Sequence, residues 1–308
     1  MPFSLRLSPA MIVATVGLFA IFCQASSAGA QQTEPKKDRP PRPSQDAVVS
    51  ADSVVKRDVA YGDKELQKLD IYAPAGAKNA PIVLFVHGGE WTRHDKSEVS
   101  FKPKFFNEHK IVFASTNYRL SPAATHPAHA SDVAAAIGWL HKHAGEFGGD
   151  PRKIFLMGHS AGCHLVTLVS LDPRYLAEVG LRPADLAGVV AWSGGAYDLV
   201  DKVAQGGAYA DYIKSAFGDS PDVWRQASPV AHVSGAKAGP RFLFISIEPG
   251  NASHQAAERL AKLIEENGGR ATSKLIEGRD HFGANHFLGA PDDTTGQIFL
   301  QFIRDAAD

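Results

Sequence analysis

A serine between glycines is the residue of this sequence best suited to nucleophilic chemistry. Gly158-His159-Ser160-Ala161-Gly162 follows an apolar, strand-like run and opens a helical pattern. In such a strand-to-helix turn the serine has a strained backbone conformation, and the glycines prevent clashes with neighbouring backbone. The N-terminus of the following helix favours the negative charge that develops during attack on a carbonyl group. The pattern therefore predicts Ser160 as a nucleophile, in preference to an ordinary glycine-rich turn.

Residues 87–91, His-Gly-Gly-Glu-Trp, form a second glycine-rich segment directly after another strand-like run. When a nucleophile attacks a carbonyl group, charge moves onto the oxygen, and preorganised backbone N–H groups stabilise it. Glycine allows the backbone to approach a substrate closely. We expect the donors to be Gly88, Gly89 and Ala161, the residue after the nucleophile. We expect His87 to brace the loop through a hydrogen bond rather than to act as a base.

The general base that takes the proton of Ser160 is expected late in the chain, after the last strand-like run. His281 occupies that place, and His286 is the rival candidate a few residues later. Asp280 cannot readily orient His281, because adjacent side chains diverge. The carboxylate that holds the imidazole must therefore come from elsewhere in the chain.

The carboxylate that orients the base is expected at the end of the strand before the last, residues 241–247. Glu248 is the first carboxylate there and is the predicted acid, since glutamate can replace aspartate in this role. The competing candidates are Asp198 and Asp201, which follow the preceding strand-like run. The sequence favours Glu248 and leaves the other two open.

Strand-like and helical patterns alternate along the chain and predict the framework that positions these residues. Continuous β-branched and aromatic runs are typical of strands buried on both faces of a sheet. The alternation predicts a mostly parallel sheet with helices on both faces and a site beyond the carboxyl ends of the strands. The predicted strands are residues 54–61, 66–72, 81–86, 111–116, 153–157, 188–192, 241–247 and 273–276. The predicted helices are residues 98–108, 130–143, 161–171, 254–266 and 296–305.

Two long stretches, residues 172–186 and 198–230, do not fit this alternation. Both mix polar and aromatic residues, and long segments of this kind commonly form a lid over a pocket. The simpler alternative is a surface excursion that never contacts a substrate. Trp91, at the end of the second glycine-rich segment, is also expected to contact the substrate.

The first residues of the chain have the pattern of an export signal. Arg6 precedes an apolar run over residues 11–22, and residues 28–30 (Ala-Gly-Ala) have the small-x-small pattern of a cleavage site. An uncleaved N-terminal anchor is the alternative. The expected location is secreted or periplasmic. The expected organisation is a signal peptide over residues 1–30, a disordered leader over residues 31–46 and one catalytic domain over residues 47–308.

Composition narrows the classes of partner and cofactor. The formal net charge of −1 gives no basis for nucleic-acid binding. Of the 13 histidines, those with short spacings point to different helix faces without a carboxylate cluster, so no metal site is predicted. Cys163 would be the sole cysteine after cleavage, and we expect it to be a small buried apolar group. No cofactor is expected, and the sequence does not predict the oligomeric state.

Four segments carry a resemblance to a known family: residues 87–91, 117–120, 147–151 and 158–165. From about Val54 to the C-terminus, the chain resembles the carboxylesterase and arylformamidase branch of the α/β hydrolases, near the bacterial feruloyl-esterase-like group. The resemblance implies an α/β-hydrolase fold with an eight-stranded, mostly parallel sheet and an antiparallel second strand. It also implies a metal-free mechanism and the hydrolysis of short acyl esters or formamides. The small lid is expected from the two long stretches described above. The resemblance also implies a structural role for Asp132. Glu248 departs from the family, whose members usually carry aspartate there.

These observations predict a serine hydrolase that cleaves carboxylic esters of small or aromatic substrates through an acyl-enzyme. Ser160 would attack, His281 would move the proton and Glu248 would hold the imidazole. The nearest alternative is an arylformamidase, which hydrolyses an N-formyl amide and differs only in the leaving group. From a different class, the chain could be a catalytically inactive α/β hydrolase that serves as a binding module. The expected partner is a small-molecule ester or amide, without stable membrane insertion after signal cleavage.

Overall fold

The computed structural model describes Met1, residues 46–247 and residues 251–307. Most of the predicted signal peptide and leader lies outside these residues, and so does Glu248, the predicted acid. Among the helices within the described ranges, none has the length and apolar character needed to cross a membrane.

Eight strands within the described residues form one sheet. They are β1 Ser53–Ala60, β2 Lys68–Pro74, β3 Ala80–Val86, β4 Val112–Thr116, β5 Gly149–His159, β6 Gly188–Trp192, β7 Arg241–Ser246 and β8 Arg270–Leu275. Their order in the sheet is β1-β2-β4-β3-β5-β6-β7-β8. Strand β2 is antiparallel to its neighbours β1 and β4, while β3 to β8 are parallel. The prediction of a mostly parallel, eight-stranded sheet with an antiparallel second strand is confirmed.

Ten α-helices and three 3-10 helices make up the helical part of the described residues. The α-helices are α1 Lys102–Glu108, α2 Ala128–His143, α3 Ala161–Leu171, α4 Pro173–Ala177, α5 Leu199–Ala204, α6 Ala208–Phe217, α7 Pro221–Gln226, α8 Ala252–Glu266, α9 His281–Phe287 and α10 Thr295–Ala307. The 3-10 helices are Ala144–Phe147, Pro183–Asp185 and Pro229–Ala238.

Alternate residues of the central strands belong to two separate hydrophobic cores. In β3, Leu84 and Val86 belong to one core together with buried residues of α2, α3 and α8. Val83 and Phe85 belong to the other, together with buried residues of α1 and α10. Because side chains alternate across a strand, a strand covered on both faces needs apolar residues at every position. This arrangement explains the continuous apolar run of residues 81–86 and confirms helices on both faces of the sheet.

The predicted ends of helices and strands are right where the apolar pattern of the sequence determines them. They are wrong where packing or helix capping determines them. Helix α3 begins and ends where the pattern predicts, at residues 161 and 171. The pattern does not predict α9, because its seven residues contain a glycine and have no clear apolar period. This helix begins after Asp280, whose carboxylate accepts the backbone N–H of Gly283 at 2.6 Å. Strand β8 begins at Arg270 rather than at residue 273, because most residues of this edge strand are exposed and polar.

Both stretches that do not fit the alternation contain short helices. Residues 172–186 contain α4 and one 3-10 helix, and residues 198–230 contain α5, α6 and α7. In α6, the side chains of Ile213 and Phe217 are buried in the core that includes α3. The second stretch is therefore packed onto the body of the domain rather than detached from it.

Candidate active site

Ser160 lies in a sharp turn between β5 and α3. Its φ of 54° and ψ of −118° belong to a region that non-glycine residues rarely adopt, and such strain is typical of functional sites. A Cβ atom on Gly158 would lie 2.4 Å from the backbone oxygen of Gly162, and one on Gly162 would lie 2.1 Å from that of Val86. No side chain fits at either position. The backbone N–H of Ser160 donates to the carbonyl oxygen of Trp192 at 3.2 Å, which ties the turn to the end of β6.

Gly88 packs directly against this turn, and Gly89 follows it in the chain. A Cβ atom on Gly88 would lie 2.8 Å from the Cβ atom of Ser160, and Gly89 has a φ of 96°. Both glycines are buried, and neither N–H donates to another backbone group within the described ranges. Buried N–H groups without a partner are rare in proteins. Ala161 is the first residue of α3, so its N–H has no acceptor within the helix. The N–H groups of the three predicted oxyanion donors thus have no backbone acceptor among the described residues, and their role toward a ligand stays a prediction.

His87 and Tyr118 hold the peptide group between Gly88 and Gly89. The carbonyl oxygen of Gly88 accepts hydrogen bonds from Nδ1 of His87 at 2.9 Å and from the hydroxyl of Tyr118 at 3.1 Å. The two rings stack with centroids 4.5 Å apart. Burial lowers the pKa of His87 to about 4, so the ring is neutral near pH 7. Because C=O and N–H point in opposite directions across a trans peptide, fixing this carbonyl also fixes the N–H of Gly89.

His281 is the first residue of α9, and its ring lies beside the end of β6. Its Nδ1 atom is 2.7 Å from Oγ of Ser193. Its backbone oxygen accepts a hydrogen bond from Nε2 of His159 at 3.2 Å, and the two rings lie 4.6 Å apart. The rival candidate His286 contacts Oγ of Ser100 at 3.2 Å and does not line the cavity that contains Ser160.

A cavity of about 360 Å³ opens at the carboxyl ends of β5, β6 and β7, and both Ser160 and His281 line it. Its volume lies within the range of about 300–1,000 Å³ that is usual for small-molecule sites. Residues 198–230, the predicted lid segment, contribute to its wall, whereas no described residue of 172–186 lines it. The lining residues are Glu90, Ser160, Ser193, Gly194, Gly195, Lys202, Gln205, Gly206, Tyr209, Ser246, Ile247, Asn251, Ser253 and His281.

A comparison of the sequence with models of known protein families identifies the family of this chain. The family model named BD-FAE matches residues 69–253, which is more than half of the 308-residue chain. The chain belongs to the BD-FAE family. The predicted resemblance to the carboxylesterase-like α/β hydrolases is thereby confirmed.

Curated relatives of this BD-FAE protein are named as esterases. The chain is 28% identical over 248 residues to a probable isoprenylcysteine alpha-carbonyl methylesterase of Arabidopsis thaliana, covering 74% of this chain and 51% of the relative. It is 31% identical over 204 residues to the esterase LipC of Mycobacterium tuberculosis, covering 62% of this chain and 50% of the relative. The chain thus spans about half the length of these relatives.

Solved structures confirm the α/β-hydrolase fold of this BD-FAE protein. A truncated carbohydrate esterase from gut microbiota superposes with a TM-score of 0.69 at 22% identity, covering 84% of this chain and 99% of that chain. Esterase B of Lactobacillus rhamnosis superposes with a TM-score of 0.70 at 21% identity, covering 85% of this chain and 88% of that chain. At these identities the likeness concerns the fold alone.

The catalytic acid of this BD-FAE protein stays a prediction, because Glu248 lies outside the described residues. The nearest described residues on either side, Ile247 and Asn251, both line the cavity. The competing candidates do not line it. Asp198 caps α5 by accepting the backbone N–H of Asp201 at 3.1 Å, and Asp201 is exposed.

Trp91 packs inside the BD-FAE domain and is not among the described residues that line the cavity. Its side chain is completely buried, with ring centroids 5.3 Å from His164 and 5.0 Å from Phe217. Its ring also lies 6.1 Å from that of Tyr209, which does line the cavity. This placement favours a supporting role behind the cavity wall over the substrate contact that the sequence suggested.

Asp132 and Cys163 have structural positions in the BD-FAE domain. Asp132 is buried and binds Arg119 through both carboxylate oxygens, at 2.7 and 2.8 Å. It also accepts the side-chain amide of Gln67 at 2.7 Å. Cys163 is buried, its thiol donates to the carbonyl oxygen of Trp192 at 2.9 Å, and burial raises its pKa. Within the described ranges, no group of three or more His, Cys, Asp or Glu side chains could hold a metal ion.

Proposed function

We propose that this protein is a serine carboxylic-ester hydrolase that works through an acyl-enzyme. The observation that carries the proposal is the placement of Ser160, in its strained turn, in the same cavity as His281. Gly88 lies against the serine and leaves its N–H free for a ligand. Acyl transfer requires a nucleophile, a base and donors for the oxyanion. Ser160 and His281 line one cavity, and we propose that the donors come from the segments that follow β3 and β5.

In the proposed reaction, Oγ of Ser160 attacks the carbonyl carbon while Nε2 of His281 accepts the proton of the serine. The tetrahedral intermediate carries its negative charge on the former carbonyl oxygen. When it collapses, the C–O bond of the ester breaks and the alcohol leaves with the proton from His281. Water then attacks the acyl-enzyme, His281 takes the proton of the water, and Ser160 regains it as the carboxylic acid is released.

The remaining groups lower the free energy of the charged intermediate. Backbone N–H groups of Gly88, Gly89 and Ala161 would meet the oxyanion, since fixed donors in a cavity need no reorganisation when the charge appears. The Glu248 carboxylate would stabilise the positive imidazole of His281 after it has taken the proton.

The size and lining of the cavity support a small ester as substrate. About 360 Å³ accommodates a short acyl group and a small or single-ring alcohol. Most lining side chains are polar, and Ile247 is the sole aliphatic one in the described part of the wall. Tyr209 supplies an aromatic surface, while Lys202 and Gln205 come from the lid segment. We propose that the natural substrate carries polar groups around its ester bond.

We also propose that the protein is exported. The support is the order of Arg6, the apolar run of residues 11–22 and the small residues 28–30. Mass spectrometry of the N-terminal peptide from the expressed protein tests this, and a first residue at Gln31 is expected. An N-terminus that still carries the first thirty residues would contradict export by cleavage.

Steady-state hydrolysis of short p-nitrophenyl and phenyl esters tests the proposed chemistry. Ser160→Ala and His281→Ala should each lose several orders of magnitude in kcat, as removal of either partner of such a pair does. His286→Gln is the matched control for the base, because this histidine does not line the cavity. An active Ser160→Ala variant, or an inactive wild-type protein, would contradict the proposal.

A further inference from the structure

The hydroxyl of Ser193 contacts the ring of His281 directly. Its Oγ lies 2.7 Å from Nδ1 of the histidine, and the two residues are 88 positions apart in the sequence. Ser193 is 7% exposed, and both residues line the cavity that contains Ser160. We propose that Ser193 is a positioning residue that holds His281 in the tautomer and orientation that the serine mechanism needs. The inference rests on the function proposed above.

The fold fixes the backbone of Ser193 by contacts that do not involve its hydroxyl. The residue directly follows β6, and its N–H donates to the carbonyl oxygen of Ile245 in β7 at 2.8 Å. Its φ of 54° is costly for a non-glycine residue and persists where the surroundings impose it. A Cβ atom on the next residue, Gly194, would lie 2.5 Å from the Cβ atom of Cys163 in α3. Strands β6 and β7 and helix α3 thus hold Ser193 at one place.

The same strand end holds the nucleophile as well as the base. The carbonyl oxygen of Trp192 accepts the N–H of Ser160, while the adjacent hydroxyl of Ser193 contacts His281. On the other side, Nε2 of His159 donates to the backbone oxygen of His281. Consecutive residues at the end of β6 therefore set where nucleophile and base stand relative to each other.

The direction of the hydrogen bond follows from the chemistry of the base. To accept the proton of Ser160 at Nε2, the neutral ring of His281 must carry its hydrogen on Nδ1. In that tautomer Nδ1–H donates to Oγ of Ser193. The opposite tautomer would place a hydrogen on Nε2, which could then no longer accept a proton. A neutral hydroxyl selects a tautomer and an orientation but supplies no negative charge, so Ser193 complements the predicted acid and does not replace it.

Two substitutions at this position separate the hydroxyl from the backbone. Ser193→Gly and Ser193→Ala both remove the hydroxyl, and glycine also adopts the φ of 54° without strain. Both should lower kcat about tenfold with little change in KM, the factor expected for the loss of one hydrogen bond to the imidazole ring in the transition state. Ser115→Ala is the matched control. Its hydroxyl is buried in β4, has no partner among the described residues and does not line the cavity, so kcat should not change.

Nitrogen-15 NMR of the histidine rings gives a readout that a purely structural role would not move. At pH 8 the ring of His281 should carry its hydrogen on Nδ1 in the wild-type protein, and the fraction of rings with the hydrogen on Nε2 should rise in Ser193→Gly. Fluorophosphonate labelling of Ser160 should slow by about the same factor as kcat.

Three results would overturn the inference. They are wild-type kcat in Ser193→Gly, an unchanged tautomer in a variant that has lost activity, and loss of activity in Ser193→Ala alone. Loss of activity in Ser193→Ala but not in Ser193→Gly would mean that backbone strain, and not the missing hydroxyl, lowers kcat. Ser160→Ala, assayed in parallel, separates the two proposals: an active Ser160→Ala variant overturns the serine mechanism itself. If Ser160→Ala is inactive while Ser193→Gly is fully active, only the proposed role of Ser193 is overturned.

Discussion

Gly88 and Ser160 approach each other so closely that no side chain fits between them. A Cβ atom on Gly88 would lie 2.8 Å from the Cβ atom of Ser160 and 3.0 Å from the backbone oxygen of His159. The two segments follow different strands, β3 and β5, which pair in parallel with Val86 beside Gly158. The register of this pair therefore brings the predicted oxyanion loop to the predicted nucleophile.

Replacement of Gly88 by alanine tests that contact. The added methyl group would be closer to Ser160 than real Cβ contacts are, so the loop or the turn must shift and the donors must move. Loss of one oxyanion donor costs about 10²–10³ in kcat in enzymes of this chemistry, and a fall of about that size is expected. Gly145→Ala is the matched control, since its Cβ atom would meet nothing within 4 Å. A change in KM alone would assign the loop to substrate binding instead.

Replacement of Glu248 by glutamine removes the predicted negative charge and preserves the size of the side chain. Loss of the carboxylate that pairs with a catalytic histidine lowers kcat by about 10⁴, and a fall of that order is expected in ester hydrolysis. Glu248→Asp tests whether a shorter side chain still serves. Asp198→Asn and Asp201→Asn are the controls and should keep most activity. If Asp198→Asn loses its activity while Glu248→Gln keeps it, the assignment of Glu248 as the acid is wrong. The roles assigned to Ser160 and His281 would not change.

Buried histidines should make the protein sensitive to mild acid. Burial lowers the pKa of each of four histidines, to about 4 for His87, His126 and His129 and to about 3 for His164. The unfolded chain already takes up these protons near pH 6.5, so it binds more protons than the folded state between about pH 6.5 and pH 4. One such histidine lowers the free energy of unfolding by about 2–3 kcal/mol between pH 7 and pH 4.5, so the four together should lower it by at least that much.

Urea denaturation at several pH values measures this loss. His164→Gln should weaken the pH dependence, because the histidine is completely buried and contributes to it. A free energy of unfolding that stays constant between pH 7 and pH 4.5 would contradict the account of the buried histidines.

Replacement of Asp132 by asparagine should lower stability more than chemistry. The carboxylate is 1% exposed and binds Arg119 and Gln67, so its loss leaves a cation without its partner. The Arg119 side chain is 32% exposed, and water can therefore partly solvate it. We expect a cost of about 1–3 kcal/mol, which thermal or urea unfolding would show. Under conditions where the variant is folded, kcat should stay near that of the wild-type protein. A selective loss of kcat at unchanged stability would place Asp132 in the mechanism.

The glycine turns and the parallel sheet that hold the site could be predicted from the sequence, because both depend on local residue patterns. The glycines around Ser160 and in the second segment occupy positions where no Cβ atom fits, and such positions are visible in a sequence. The parallel sheet follows from the alternation of strands and helices, and it places the loop ends at one edge.

Contacts between distant segments could not be predicted in the same way. Ser193 contacts a histidine 88 residues away, and nothing in its neighbourhood of small residues marks it as functional. Trp91 comes next to Glu90, which lines the cavity, yet its own ring is buried behind Tyr209. Which side of a loop faces a cavity depends on packing against α3 and the lid segment, and a residue pattern does not contain that information.

Fluorophosphonate labelling followed by peptide mapping tests the central claim most directly. The reagent forms a covalent adduct with a serine whose hydroxyl is activated by a neighbouring base, so it reports the nucleophile without knowledge of the natural substrate. We predict one adduct, on the peptide that contains Ser160, and its absence from Ser160→Ala. An adduct on another serine, or no adduct on a folded protein, would contradict the assignment of Ser160 as the nucleophile.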